Sequence, residues 1–325
     1  MNLRLEARKE KMGSQADLNS ILSGVCVVVL VNPMAGGGRA RAVLPRVQEL
    51  FETLEVSARF VVTKSAAKLE SAARNAIVQT ERVLLAMGGD GTFQALANAA
   101  FGTDVLLGVI PVGGGNDFAS ALGMPSDPVK AAEAALRGRP RFVDLVRVRT
   151  SEGRTRLYAG GGGIGLDAEA ARYASGSYRR LPGRFRYIAS ALRALVGYVP
   201  LDISIELSGE NCIRFETEAV LAAALNTPTY GAGLRLAPGA SIDDGLLDIV
   251  MIEDLGKIEV LKLLPRLMGH GELRTSRVRR WKAHRVRLTT NRPCLFHGDG
   301  EILGTTPVEI EVVPRAIQVL AAWKD

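Results

Sequence analysis

The segment RVLLAMGGDGT, residues 82–92, places a fully apolar run directly before a turn of three glycines around one aspartate. Such a run is typical of a parallel strand buried on both faces, and the Ala-rich segment FQALANAAFG after it favours a helix. Ligands collect at the carboxyl ends of strands in open α/β sheets. Asp90, with accessible amides around it, is therefore a candidate for holding magnesium or its waters. A plain structural turn is the alternative, and the residue order argues against it.

Two further Gly-rich loops follow strand-like runs. Residues 32–38 read NPMAGGG and follow VCVVVLV, and residues 111–119 read PVGGGNDFA and follow another apolar run. Free N–H groups at a helix start can hold phosphate, and glycines allow close backbone approach. Each loop alone could be ordinary turn chemistry, and the first lacks the Lys-Ser/Thr of a Walker A loop. Together, at one edge of a sheet, the three loops predict a polyphosphate site.

The order of elements divides the chain into two domains. Short β-branched runs alternate with Ala-rich helical stretches up to about Asp144, which predicts an open, mainly parallel α/β sheet. Beyond it, short alternating segments separated by Gly, Asn and Pro predict antiparallel β-structure with two helical interruptions. We expect a flexible lead-in at 1–23, an α/β domain at 24–144 and a β-rich domain at 145–313. Segment 314–325 is a candidate extra strand of the first domain.

The composition excludes several classes of protein. With 325 residues, 47% hydrophobic and 23% charged, the chain is long enough for about two domains with buried cores. Three dispersed cysteines without metal-ligand spacing indicate a reduced, cytoplasmic location. The polar N-terminus lacks the apolar core of a signal peptide, and no apolar run is long enough to span a bilayer. The net charge of +7 indicates an anionic partner without identifying it.

The motifs NPMAG, GGDGT and PVGGGNDFA, in this order and spacing, resemble the catalytic domain of the diacylglycerol kinase family, particularly its soluble bacterial lipid kinases. Further similarity lies in GGGGIGLDAEA, NTPTYGAGLRLAPGASIDDGLLDIVMI and HGDGE, so it covers nearly everything from Val25 onward. Sphingosine, ceramide and NAD kinases share GGDGT, but the NDFA and DDGLLD segments fit the bacterial lipid kinases best. The resemblance implies an α/β N-terminal domain of the NAD kinase and diacylglycerol kinase type, and a β-rich, mainly antiparallel C-terminal domain.

The resemblance also implies ATP and Mg²⁺ as cofactors. The residues that it places around the nucleotide are Asn32, Pro33, Met34, Ala35, Gly36, Thr63, Gly88, Gly89, Asp90, Gly91, Thr92, Phe93, Gln94, Gly114, Asn116 and Asp117. Of these, Asp90 and Asp117 would organise the magnesium and its waters between the domains.

By the same comparison, Asp299 and Glu301 lie where the family has its catalytic base. An alcohol is a poor nucleophile at neutral pH and needs a carboxylate to accept its proton as the γ-phosphate transfers. Which of the two accepts it is left open. Without the resemblance, Asp-Gly-Glu between strands is more typical of a solvated turn.

Residues 241–246, SIDDGL, resemble the family's structural magnesium loop, with Asp244 and main-chain oxygens near Ser241 and Leu246 as ligands. Read alone, Asp-Asp-Gly is only a hairpin signal, so this metal site depends on the resemblance. The three histidines, His270, His284 and His297, lack metal-ligand spacing, and ordinary surface or turn roles are expected for them.

The expected activity is transfer of the γ-phosphate of ATP to a hydroxyl of a lipid such as diacylglycerol, with the acceptor beside an apolar face at residues 187–198. Two positions depart from the family: Ala95 replaces the usual Glu, and Gly114 replaces the usual Thr. These changes motivate a non-catalytic regulator that binds nucleotide or lipid as an alternative. NAD kinase-like and sphingoid-base kinase activities are further alternatives, and the sequence does not identify the lipid.

A basic segment predicts peripheral contact with an anionic membrane. From Arg266 to Arg292 there are nine Lys and Arg residues and a single acid. Several of them surround Trp281, an aromatic side chain favoured at the bilayer interface. A solvated basic face is the alternative. No nucleic-acid module accompanies the charge, so nucleic acid is not an expected partner, and homodimerisation is left open.

Overall fold

The computed structural model describes residues 24–178, 183–208, 213–231, 233–268 and 276–322. The predicted lead-in at 1–23 and His270 lie outside these ranges, as does the side chain of Tyr187.

The first half of the chain is a parallel sheet with helices between its strands. The elements are β1 (Val27–Val31), α1 (Arg39–Thr53), β2 (Ala58–Val62), α2 (Ala66–Val78), β3 (Val83–Gly88), α3 (Asp90–Ala100), β4 (Leu106–Pro111), α4 (Asp117–Ala121) and α5 (Pro128–Arg137). Strand β1 pairs with β2 and β3, and β3 pairs with β4, all in parallel. Every residue of β1, β3 and β4 is buried, which explains their uniformly apolar sequences.

The second half is mainly antiparallel. Its strands are β5 (Arg139–Arg149), β6 (Thr155–Tyr158), β7 (Gly161–Gly165), β8 (Leu201–Ser208), β9 (Ile213–Leu225), β10 (Leu247–Glu253), β11 (Val278–Ala283), β12 (Arg285–Thr290), β13 (Leu295–Gly298), β14 (Glu301–Thr305) and β15 (Val308–Ala321). Its helices are α6 (Leu166–Ser175), α7 (Gly183–Val196) and α8 (Lys257–Met268). The fold class expected from the sequence is thereby confirmed.

One strand joins the two halves. The main path of the sheet runs β14-β13-β7-β9-β8-β12-β15-β4-β3-β1-β2. Strand β15 pairs antiparallel with β12 and β5, and near its end it pairs in parallel with β4, where Gln318 lies opposite Leu106. The last strand therefore belongs to both the antiparallel and the parallel part of the sheet.

A buried carboxylate marks the junction of the halves. Asp144 has no exposed surface, and its two oxygens accept hydrogen bonds from Arg315 N at 2.7 Å and Gly245 N at 2.8 Å. Its own N–H donates to Ile242 O at 2.7 Å. Strand β5, the turn before β10 and the bend of β15 therefore meet at one side chain.

Helices α5 and α6 were not expected from the sequence. A start signal for α5 exists, because Asp127 accepts hydrogen bonds from the N–H groups of Val129 and Lys130, and Pro128 is the first helical residue. Among the described residues, none of the helices combines the length and apolar character needed to cross a bilayer.

Candidate active site

The three Gly-rich loops lie side by side at one edge of the parallel sheet. They follow β1, β3 and β4, which are neighbours in the sheet, so their carboxyl ends share an edge. Asn32 Nδ2 in the first loop donates to Thr92 Oγ1 after the second, at 3.2 Å. Val112 N in the third loop donates to Gly88 O at 2.8 Å. The loops are thus connected to one another by hydrogen bonds.

Glycine is required where the loops touch. At Gly36, with φ +63°, a Cβ atom would lie 2.2 Å from Val112 O. At Gly113 it would lie 2.6 Å from Gly89 Cα. Both distances are shorter than side chains tolerate, so the three loops form one surface of closely packed backbone.

Asp90, the first residue of α3, fixes the third loop against the second. Its Oδ2 accepts from Asn116 N at 2.8 Å, and its Oδ1 accepts from Phe118 N at 3.1 Å. Asn116 has a left-handed backbone with φ +60°, and its Oδ1 accepts from Gly113 N at 2.9 Å. Burial raises the pKa of Asp90, and these backbone donors oppose the shift.

Asp117 connects the loops to the second half of the chain. It is 8% exposed, and its Oδ1 accepts from Gly233 N at 3.0 Å. Asp90 and Asp117 line the same cavity as Asp299. Carboxylates from both halves therefore face one space beside the Gly-rich loops.

Backbone N–H groups hold the carboxylate of Asp299. Its Oδ2 accepts from Ala159 N at 2.8 Å, and its Oδ1 accepts from Gly160 N at 2.9 Å and Gly161 N at 3.2 Å. Burial first, and then the neighbouring Asp90 carboxylate, raise the pKa of Asp299 to about 7, although the three donors oppose the shift. The group therefore takes up a proton near neutral pH.

Glu301 extends toward the second Gly-rich loop. It is an exposed residue, and a Cβ atom on Gly91 would lie 3.2 Å from its Oε1. Gly91 belongs to the first turn of α3, where unpaired N–H groups favour anions. The Asp299-Gly300-Glu301 turn thus has one carboxylate held by the backbone of residues 159–161 and another beside the loop.

An apolar cavity of about 190 Å³ lies beside Asp299. Its apolar lining comes from α6, α7, β9, β10 and the segments around residues 230–236 and 255–260, and it includes Leu166, Ile188, Leu221, Leu234 and Ile252. Asp90, Asp117 and Asp299 form part of its polar end. The cavity can accept an apolar molecule that carries one polar group.

Three further polar residues of the cavity lining, none of them predicted as a site residue, contact one another. Tyr230 donates its hydroxyl hydrogen to Asp167 Oδ2 at 2.6 Å, and its oxygen also contacts His297 Nε2. His297 is only 5% exposed, so the surface or turn role expected for it is wrong. Its position two residues before Asp299 was the available signal.

Some predicted nucleotide residues have side chains that turn away from the loop surface. Thr63 donates its hydroxyl to Val31 O at 3.3 Å, Phe93 stacks on Phe118 with ring centroids 4.3 Å apart, and Gln94 is 4% exposed. Ala95, which replaces the usual Glu of the family, is buried in the apolar core of the first half. The remaining predicted nucleotide residues lie in or next to the three loops.

The predicted metal loop has a different arrangement. Lys282 Nζ lies 3.1 Å from Asp244 Oδ2, and Asp244 Oδ1 accepts from Leu246 N at 3.0 Å. Ser241 donates its hydroxyl to Asp243 Oδ1 at 2.7 Å. Within the described ranges, no group of three or more His, Cys, Asp or Glu side chains is arranged to hold a metal ion. An ammonium group thus contacts the carboxylate that the resemblance assigns to a metal ion.

Comparisons with known proteins cover both halves. Residues 26–148 match the family model of the diacylglycerol kinase catalytic domain, and residues 162–321 match that of the YegS C-terminal NAD kinase beta sandwich-like domain. The chain is 29% identical over 296 residues to a protein named diacylglycerol kinase from Mycobacterium tuberculosis (strain CDC 1551 / Oshkosh), covering 90% of this chain and 94% of that protein.

A second relative, named "Probable lipid kinase YegS-like" from Stenotrophomonas maltophilia (strain K279a), is 30% identical over 251 residues, which are 73% of this chain and 78% of that one. The crystal structure of a diacylglycerol kinase from Bacillus anthracis str. Sterne matches with a TM-score of 0.65 at 20% identity, covering 91% of this chain and 96% of the other. At that identity the structural likeness shows the fold alone.

Proposed function

The chain belongs to the diacylglycerol kinase family, and from this premise we propose that it transfers the γ-phosphate of ATP to a hydroxyl group of a lipid such as diacylglycerol. Membership of this family makes the chain a lipid kinase. The proposal adds that ATP is the phosphate donor and that the acceptor is a lipid such as diacylglycerol. One observation carries both assignments: an apolar cavity opens at carboxylates that lie beside three connected Gly-rich loops.

The loops would hold the triphosphate through main-chain N–H groups. Asp90 and Asp117 would hold the Mg²⁺ that accompanies ATP, with phosphate oxygens and waters as the other ligands. The fit is chemical: Asp90, Asp117 and Asp299 line one space, and the Asp90 carboxylate raises the pKa of Asp299. A cation there would offset this repulsion between carboxylates. Bound Mg²⁺ would neutralise charge on the transferring phosphate.

The proton of the acceptor goes to the Asp299-Gly300-Glu301 turn. We assign the base to Glu301, because its carboxylate extends to Gly91 at the phosphate side of the site. Asp299 holds the turn through its three backbone donors and presents a polar edge to the cavity. As the acceptor oxygen bonds to the γ-phosphorus, the bond to the ADP oxygen breaks and Glu301 takes the hydroxyl proton.

The acyl part of the acceptor would lie in the apolar cavity. Ile188 on α7 and Leu221 on β9 line it, while the carboxylates occupy one end. This arrangement favours an amphiphile whose hydroxyl lies next to its apolar body. A soluble dinucleotide would leave the apolar walls without a partner.

Helices α7 and α8 provide the surface that we assign to membrane contact. Phe185 is 72% exposed, Val196 71% and Ile258 69%. The helices meet where Lys257 Nζ donates to Val196 O at 2.7 Å. Both flank the cavity, since Ile188 and Val260 line it. A lipid could enter the cavity from this surface without crossing water, which supports a cytoplasmic enzyme working at the membrane.

The basic cluster around Trp281 is a less suitable contact. Its members have acidic partners, in the pairs Arg279–Glu253, Lys282–Asp244 and Arg285–Glu311. Trp281 itself packs against Phe215, with ring centroids 5.6 Å apart. These interactions reduce the charge and the apolar surface available to a bilayer.

The decisive experiment incubates the protein with labelled ATP, Mg²⁺ and a total lipid extract, and identifies phosphorylated products by mass spectrometry. We expect a phosphorylated lipid with the wild type, and loss of product with Glu301→Gln. Glu49→Gln, which alters an exposed carboxylate on α1, is the matched control. Labelling of NAD in the absence of lipid, or ATP binding without transfer to any lipid, would contradict the proposal.

A further inference from the structure

The ammonium group of Lys282 contacts three oxygen atoms. It lies on β11 directly opposite Asp248 of β10 in the antiparallel register. Its Nζ is 3.1 Å from Asp244 Oδ2 and 3.2 Å from Asp248 Oδ2, and it donates to Gly239 O at 3.5 Å. An ammonium group has three N–H donors, and three oxygens surround this one.

Asp243, the other acidic residue of this loop, also pairs with a basic side chain. Asp243 Oδ2 accepts from Arg141 Nη2 at 2.6 Å and from Arg141 Nε at 3.0 Å. The loop therefore has no carboxylate without a basic side chain nearby. Magnesium, in contrast, requires near-octahedral oxygen ligands and keeps several waters.

This loop is part of the junction between the halves. Gly245 N donates to the buried Asp144, and Gly245 O contacts His284 Nδ1 at 2.8 Å. Asp244 and Asp248 both contact the same ammonium group, so without it their like charges would repel each other beside the turn that packs on Asp144. A cation between these carboxylates would therefore stabilise the junction of the two halves.

We propose that the Lys282 ammonium takes the structural place of a divalent cation at residues 239–248, so that the junction of the two halves holds without a bound metal. The cation is covalently tethered, so chelators cannot remove it. The proposal concerns the stability of the fold and does not depend on the substrate of the enzyme.

Thermal unfolding of the nucleotide-free full chain, in EDTA and in Mg²⁺, tests this. We expect EDTA to leave the wild-type midpoint unchanged. Lys282→Ala removes the ammonium group beside Asp244 and Asp248 and should lower the midpoint in EDTA by about 2 °C. Mg²⁺ should restore much of the loss, because the vacated oxygens now suit an ion. Lys68→Ala, at an exposed lysine on α2, should do neither.

A binding measurement supplies a second readout. Titration with Mn²⁺, followed by electron paramagnetic resonance, should find about one more bound ion per chain in Lys282→Ala than in the wild type. The proposal would be overturned if Lys282→Ala bound no more Mn²⁺ than the wild type and its unfolding midpoint in EDTA equalled that of Lys68→Ala. Should Lys282→Ala fail to fold, Asp244→Asn decides. An EDTA-induced fall in the wild-type midpoint that this variant abolishes would show a metal at the loop and refute the idea.

Discussion

Gln94 Nε2, on helix α3, donates to the main-chain oxygen of Gly298 on strand β13 at 3.2 Å. Gly298 directly precedes Asp299, and α3 begins at Asp90. One turn farther along the helix, Asn98 exchanges two hydrogen bonds with the backbone of Leu157, at 2.8 and 3.1 Å. Helix α3 therefore sets the position of the carboxylate turn relative to the Gly-rich loops.

Replacing Gln94 by Leu should impair turnover more than nucleotide binding. The buried Gly298 oxygen loses its donor, which costs about 1–3 kcal/mol in the free energy of unfolding. The turn loosens, and we expect kcat to fall about 10-fold with an unchanged KM for ATP. Urea unfolding and steady-state kinetics measure the two effects. An unchanged kcat would show that this link does not position the turn.

The contact between the first and third loops predicts a difference between two glycines. Gly36→Ala combines a left-handed backbone with a Cβ atom 2.2 Å from Val112 O, and should raise the KM for ATP about 10-fold. Gly38→Ala, also left-handed with φ +96° but with nothing within 4 Å, should lose only about 1–2 kcal/mol of stability. Equal effects of the two variants on the KM would contradict a role for close loop packing.

The pKa of Asp299, raised to about 7, predicts opposite effects of pH on turnover and stability. Protonation removes a carboxylate acceptor from the turn, so lipid phosphorylation should decline as the pH falls below about 7. The folded-state pKa lies above the ordinary value of 3.8. The contribution of this group to stability is therefore complete below about pH 4 and is lost as the pH rises through about 7.

Asp90→Asn tests the origin of that shift, because Asp90 is its second cause after burial. Between about pH 5 and pH 8, this variant should lose less unfolding free energy than the wild type. Urea unfolding at both pH values gives the comparison. Identical pH dependence in the two proteins would mean that the carboxylates do not interact.

Filling the cavity should affect the lipid and not the nucleotide. Ala191 lines the cavity, and Ala191→Trp should lower kcat/KM for the lipid about 10-fold while leaving ATP binding unchanged. Ala189→Trp, on the same helix but outside the cavity lining, is the control. A kinase that tolerates Ala191→Trp with full lipid turnover must bind its acceptor elsewhere.

Because we assign membrane contact to α7 and α8, substitutions on their exposed faces should affect turnover on vesicles and not turnover of a soluble acceptor. Phe185→Ser combined with Val196→Ser should reduce both sedimentation with anionic vesicles and turnover on them about 10-fold, and should not change turnover of a short-chain, water-soluble acceptor. Val78→Ser, at a residue 81% exposed on α2, should have no effect. Equal losses with the soluble acceptor would point to damage within the site.

The parallel half and its loops could be predicted because their signals are local. Each strand, turn and helix start is encoded within about ten neighbouring residues, as in the run from Val83 to Thr92. The cavity could not be predicted, since its walls come from helices and strands distributed between residues 160 and 260. No period in the sequence indicates which apolar side chains leave a space between them.

Contacts between side chains that are far apart in the sequence could not be predicted either. Lys282 and Asp244 are 38 residues apart, and the sequence offered Lys282 as one of several membrane-facing cations. Their pairing follows from the register of β10 and β11, which depends on a strand connection with no local signature. The family resemblance predicted a metal ligand at Asp244 from the residue type alone, without the Lys282 side chain that lies beside it in the structure.

The shared strand β15 has a consequence for synthesis on the ribosome. Leu106 of β4 needs Gln318 as its pairing partner, and the residues between them take roughly ten to forty seconds to translate. Until then the nascent first half has an open β4 edge, which is a site for mispairing and chaperone capture. Synthesis of β15, rather than completion of the first half, is therefore the event that allows the parallel sheet to be completed.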